Sequence, residues 1–167
     1  MAVAQTTYLA GLLKKTGVFA EADLEVVLKE AEETDSSITE IAVRQGKMKE
    51  AAFLEALGKA MNIPFSRLGT SEIPQEVLAR LPTKAVFQYN VIPLSIENNT
   101  LVVATNNPLD AGLMDSLRLA AGGRVKLSLS TSEDIAKAAK RFYGVGAETV
   151  DKMMQDNRFT VTAEDAL

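Results

Sequence analysis

The 167-residue chain contains no cysteine, no histidine and no tryptophan. Without cysteine it forms no disulfide and offers no thiol nucleophile. Without either cysteine or histidine it lacks the usual ligands of a zinc site and the base of a Ser-His-Asp triad. The missing thiols suit a reducing cytosol. No apolar run approaches the roughly 20 residues that cross a bilayer. The stretch Leu9–Leu13 is too short for a secretory signal and has no lysine or arginine before it. The expectation is a soluble, cytoplasmic protein with no direct membrane insertion. A formal net charge of −4 argues against nucleic acid as a partner, because such binders present a clearly basic face.

What is present is ordinary for a folded chain: 47% hydrophobic and 24% charged residues. The first third is helical in pattern. Leu9, Leu12 and Leu13 share one helical face, and Gly17 is placed to end that helix in a left-handed cap. Leu24, Val27, Leu28 and Ala31 mark a second amphipathic helix. About 29 residues on, the unit recurs: Ile38, Ile41 and Ala42 repeat Leu9, Leu12 and Leu13, Gly46 repeats Gly17, and Phe53, Ala56 and Leu57 repeat Leu24, Val27 and Leu28. Neither helical pair is thick enough to bury its stripe alone, so the two are expected to pack as a four-helix unit over residues 1–64.

After Phe65 the pattern changes. Pro74–Leu81 and Pro82–Tyr89 read as short helices with proline in the first turn. Val91–Ile96 and Leu101–Thr105 are β-rich runs joined by a turn whose Asn98 and Asn99 tolerate positive φ. Asn107-Pro108-Leu109-Asp110 spells a helix start, and Gly122-Gly123 its end. Val125, Leu127 and Leu129 alternate with Lys126 and Ser128 as in a half-buried strand. Thr131 and Asp134 resemble a capping box opening a last helix through Phe142. The fold class is therefore α+β: helical hairpin repeats, then a small three-stranded α+β unit over residues 65–145 with helices on one face of the sheet. Residues 146–167 read as a linker or tail, with a turn or two of helix at Glu148–Met154.

Catalytic chemistry finds no support. A P-loop needs G-x-x-x-x-G-K-[ST] to hold phosphate and magnesium, but Gly46-Lys47 and Gly58-Lys59 are followed by Met48 and Ala60. Asp110 and Asp115 are five residues apart and do not share a helix face cleanly. No metal ligand set is present. Arg124, Lys126, Lys137, Lys140 and Arg141 gather either as a solvated face or as a docking patch for an acidic partner or phosphate.

Ala60-Met61-Asn62-Ile63-Pro64-Phe65, then Ile73-Pro74, Leu81-Pro82 and Tyr89-Asn90-Val91-Ile92-Pro93-Leu94, form a pattern that continues through Leu101-Val102-Val103-Ala104-Thr105-Asn106-Asn107-Pro108 to Arg141-Phe142-Tyr143-Gly144. It resembles the N-terminal domain of type II secretion and type IV pilus assembly ATPases over roughly residues 8–145. The resemblance implies a non-catalytic docking domain. Its partners would be the ATPase motor domain and an actin-like inner-membrane platform protein, leaving it peripheral to the inner membrane through a protein contact. It also implies an alternative. Some members carry tandem R-L-G-x-x-L-V-x-x-G repeats closed by glutamine, which bind cyclic di-GMP. Here the arginine, motif-glycine and glutamine positions hold Tyr8, Ala10 and Ala31 in the first repeat, and Ser37, Thr39 and Ala60 in the second. Gly17 and Gly46 persist, and both are expected to be helix caps. Tyr8, Gly17, Ser37 and Gly46 are thus the degenerate dinucleotide positions, and no cofactor is expected. Arg67-Leu68-Gly69 spells the motif's opening by chance. Leu9, Leu12 and Phe19 are the expected partner contacts, since a short helical pair rarely buries every apolar side chain.

Overall fold

Local chemistry sets most of the helix ends. A computed structural model describes residues 3–46 and 48–155. The order is α1 (Val3–Thr16), α2 (Glu21–Glu33), α3 (Ile38–Gly46), α4 (Glu50–Met61), α5 (Gln75–Leu78), α6 (Thr83–Tyr89), β1 (Ile92–Glu97), β2 (Thr100–Thr105), α7 (Leu113–Ala121), β3 (Val125–Leu129) and α8 (Ser132–Gln155). Gly17 follows α1 at φ +72°, and Asn62, Asn90 and Gly122 end α4, α6 and α7 in the same left-handed region. Pro74 and Pro82 stand at the N-cap positions of α5 and α6, one residue before the first turn.

The helical repeats pack crosswise. α1 lies on α4 and α2 on α3, burying Leu9, Leu13, Val27, Ile41, Phe53 and Leu57 in one cluster. A second cluster runs from Leu68 to Ala139 beneath the sheet. The sheet order is β1-β2-β3, with β1 antiparallel and β3 parallel to β2. Asn98 and Asn99, at φ +51° and +61°, make the two-residue hairpin turn. β2 is buried at every residue from Leu101 to Thr105, so the sheet is covered on both faces there rather than on one.

Three local expectations are corrected. The helix expected from Asn107 begins at Leu113. Leu109 instead packs against the four-helix cluster, and the Asp110 carboxylate accepts from the Gly112 N–H at 3.1 Å. Ser128 is buried, because its hydroxyl donates to the Pro64 carbonyl at 3.2 Å and residues 64–66 pair along β3. Thr131 caps α8, accepting from the Asp134 N–H at 3.2 Å, but the Asp134 side chain turns to Arg67 instead of completing the box. α8 is helical to Tyr143, breaks at Gly144 (φ +62°) and is helical again as far as Gln155. Residues 156–167 of the expected tail lie outside the described residues.

Candidate functional site

The crosswise packing decides where the repeat positions fall. Tyr8 on α1 is 62% exposed. It lines a shallow cleft with Gly11, Leu12 and Lys15 of its own helix and with Ala60 and Met61 of α4. The opening position of the first repeat therefore faces the closing position of the second. Ser37 lines a different cleft, at the junction of the two units, with Thr39, Glu50, Tyr89 and Asn106.

In the second repeat these side chains serve the fold. The Ser37 hydroxyl accepts from the Glu40 N–H at 3.2 Å, a helix-capping bond at the start of α3. Thr39, at the motif-glycine position, is buried and donates to the Asn106 carbonyl at 2.6 Å. Arg44, the one arginine of the repeat, pairs with Glu30, which also accepts from Gln45 at 3.0 Å. Ala31 is half-buried against the helical cluster.

Gly17 takes the left-handed cap that was expected, but Gly46 does not. Gly46 lies within α3 without positive φ. A Cβ there would collide with the Met48 side chain and stand 3.2 Å from the Phe19 ring, so what Gly46 supplies is space. Leu9 and Leu12 are buried in the core, at 6% and 8% exposure, which removes the ground for expecting them at a contact surface. Phe19 is half-buried and edge-on to Phe53, with ring centroids 5.9 Å apart. The exposed large apolar residues among those described are Tyr8, Val18, Val26 and Leu119.

The cationic gathering is mostly neutralised where it stands. Lys126 pairs with Glu97 at 3.6 Å, Lys137 with Glu133 at 2.9 Å, and Arg141 with Glu72 and the Ser71 carbonyl. Bonding to Glu133 raises the Lys137 pKa. Arg67-Leu68-Gly69 acquires a structural role: Arg67 and the Leu68 N–H both bind Asp134. For Asp134, burial acts to raise the pKa. Hydrogen bonds from Arg67 and the Leu68 amide, with the charges of Arg67 and Lys137, outweigh it and hold the carboxyl below its ordinary value. Among the described residues no cluster of acidic or histidine side chains is arranged to hold a metal, and no buried polar side-chain atom lacks a hydrogen-bond partner. Sequence reasoning missed Glu50, which reads as an ordinary acidic residue in a first helical turn. In the fold it binds Asn106 and Ser132.

Paired helical repeats thus precede a three-stranded α+β unit. The chain belongs to the MshEN domain family, which matches residues 61–149. It is 19% identical over 148 residues to the type IV pilus assembly ATPase PilB of Myxococcus xanthus (strain DK1622), covering 89% of this chain and 26% of that protein. The chain thus spans about a quarter of that relative's length. The fold is that of MshE solved with cdg (cyclic di-GMP), at TM-score 0.69 and 19% identity, over 81% of this chain and 98% of that one. It is also that of the N-terminal domain of XpsE, at TM-score 0.65 and 19% identity, over 86% and 99%. No helix among the described residues is long and apolar enough to cross a membrane.

Proposed function

We propose that the chain is a non-catalytic docking and regulatory domain. It couples a type II secretion or type IV pilus assembly ATPase motor to an actin-like platform protein at the cytoplasmic face of the inner membrane. One observation carries the reading: the polar side chains at the second repeat's ligand positions are committed to the chain's own structure, Ser37 as a helix cap and Thr39 as a bond between units. With Tyr8 and Ser37 in place of arginine, a dinucleotide phosphate loses charge-assisted bonds worth about 1.5–3 kcal/mol each. The exposed Tyr8, Val18 and Val26 of the four-helix unit replace Leu9 and Leu12 as the proposed contact surface.

A second reading, a cyclic di-GMP sensor, is favoured by the exposed Tyr8 ring beside Gly11 and Lys15, where a base could stack and a phosphate find a cation. Calorimetric titration of the purified chain with cyclic di-GMP, with cyclic di-AMP and GTP as controls, separates the two. The docking reading expects no heat and no thermal shift, together with binding to the cytoplasmic part of the platform protein. Specific micromolar binding of cyclic di-GMP would establish the sensor instead.

A further inference from the structure

α4 is attached to the α+β unit at two points. Near its end, a Cβ on Gly58 would stand 2.5 Å from the Ile63 carbonyl oxygen and 3.4 Å from the Leu129 side chain, so helix and strand touch closely there. At its first residue the Glu50 carboxylate accepts from the Ser132 N–H at 3.1 Å, the Ser132 hydroxyl at 3.0 Å and the Asn106 side-chain amide at 2.9 Å. The two points are separated by about 12 Å of helix. The Thr39 hydroxyl, on α3, reaches the same Asn106 through its carbonyl.

These attachments differ in kind. At the Gly58 end α4 meets the Leu129 side chain, and the chain leaving it is held along β3 by the Leu129–Pro64 and Ser66–Leu129 backbone bonds, so this end is the fixed one. The Glu50 contact is directional. Ser132 opens α8, where backbone N–H groups have no partner within the helix and the helix dipole favours negative charge. A carboxylate from the other unit supplies both. Glu50 is half-buried and lines the open junction cleft, so water reaches its partners as soon as they part, which keeps separation inexpensive.

We propose that Glu50 is a latch. Closed, it sets the angle of the four-helix unit on the α+β unit and makes that unit a rigid extension of α8. Open, it leaves the four-helix unit held by the Gly58 contact, the Thr39–Asn106 bond and the packing of Leu109, with a wider range of angles about them.

The test uses the full chain. Since it has no native cysteine, spin labels are placed with Glu25→Cys on α2 and Leu119→Cys on α7, both exposed positions. The parent is expected to give one narrow distance distribution, and Glu50→Ala to broaden it while the far-ultraviolet circular dichroism stays unchanged. Ser132 amide exchange should quicken in the same variant. Glu50→Gln keeps one acceptor oxygen and is expected to fall between the two. An unchanged distribution in folded Glu50→Ala overturns the proposal. If that variant does not fold, an unchanged distribution in Glu50→Gln does so.

Discussion

Asp134 holds Arg67 at two points, Oδ2 to Nε at 2.9 Å and Oδ1 to Nη2 at 3.3 Å, and so ties the connector after α4 to the first turn of α8. The same carboxylate accepts the Leu68 N–H at 3.1 Å. Because the folded state holds this carboxyl below its ordinary pKa, its contribution is fully present above the unfolded value. It is lost as pH falls through the folded one. Asp134→Asn is expected to cost about 1 kcal/mol at neutral pH, a small figure because Arg67 is largely exposed. It should also flatten part of the acid side of the stability curve, below about pH 4. Urea unfolding of both proteins across that range measures the difference.

Tyr143 behaves oppositely. Its hydroxyl donates to the Leu78 carbonyl at 2.9 Å and to that of Leu81 at 3.3 Å, and burial pushes its pKa up to about 12. The neutral phenol's contribution is present below the unfolded value, about 10. It is lost as pH rises from there through about 12. Tyr143→Phe should lower stability by about 1 kcal/mol at neutral pH and remove this alkaline loss. Unfolding titrations at neutral and strongly alkaline pH would show whether the two curves converge.

Gly58→Ala is expected to destabilise by about 1–3 kcal/mol, because the new methyl meets the Ile63 carbonyl, which is backbone and yields little. Gly11→Ala serves as the contrast. It is exposed within α1 with no atom within 4 Å of the added methyl, so helix propensity alone should stabilise by about 0.5–1 kcal/mol. Thermal unfolding of the pair separates crowding from propensity. Equal effects would refute the close approach.

Burial separates Leu12 from its neighbour Tyr8. Leu12→Ala should cost about 2–4 kcal/mol as a core truncation, whereas Tyr8→Ala should stay within about 0.5 kcal/mol. Val26→Asp, on the exposed face of α2, is expected to leave stability nearly unchanged and to weaken platform binding. Retained affinity would put the contact elsewhere.

The elements readable in the sequence are those whose ends depend on their own neighbours. Gly17 and Gly122 adopt the left-handed caps that their spacing announces, and Asn98-Asn99 makes the hairpin turn. The 29-residue recurrence foretold four helices, because apolar stripes that thin have to meet. Reading failed wherever a residue far along the chain decides. Leu109 leaves its expected helix to pack, half-buried, against the core of the other unit. Ser128 looks exposed until Pro64 arrives beside it. Leu9 and Leu12 looked surplus because a helical pair was counted alone, before the second pair closed over it. Gly46 carries the same letter as Gly17 yet answers to Phe19 and Met48. Glu50 has no local signature at all, since its meaning depends on Ser132.

The crosswise pairing of α1 with α4 has an architectural consequence. One wall of the Tyr8 cleft comes from each repeat, so neither copy possesses a complete surface, and a chain carrying a single copy would expose half a groove and half a core. The duplication acts as one indivisible module. A partner bound there reads both copies at once, and cutting between α2 and α3 would abolish the surface on each side of the cut.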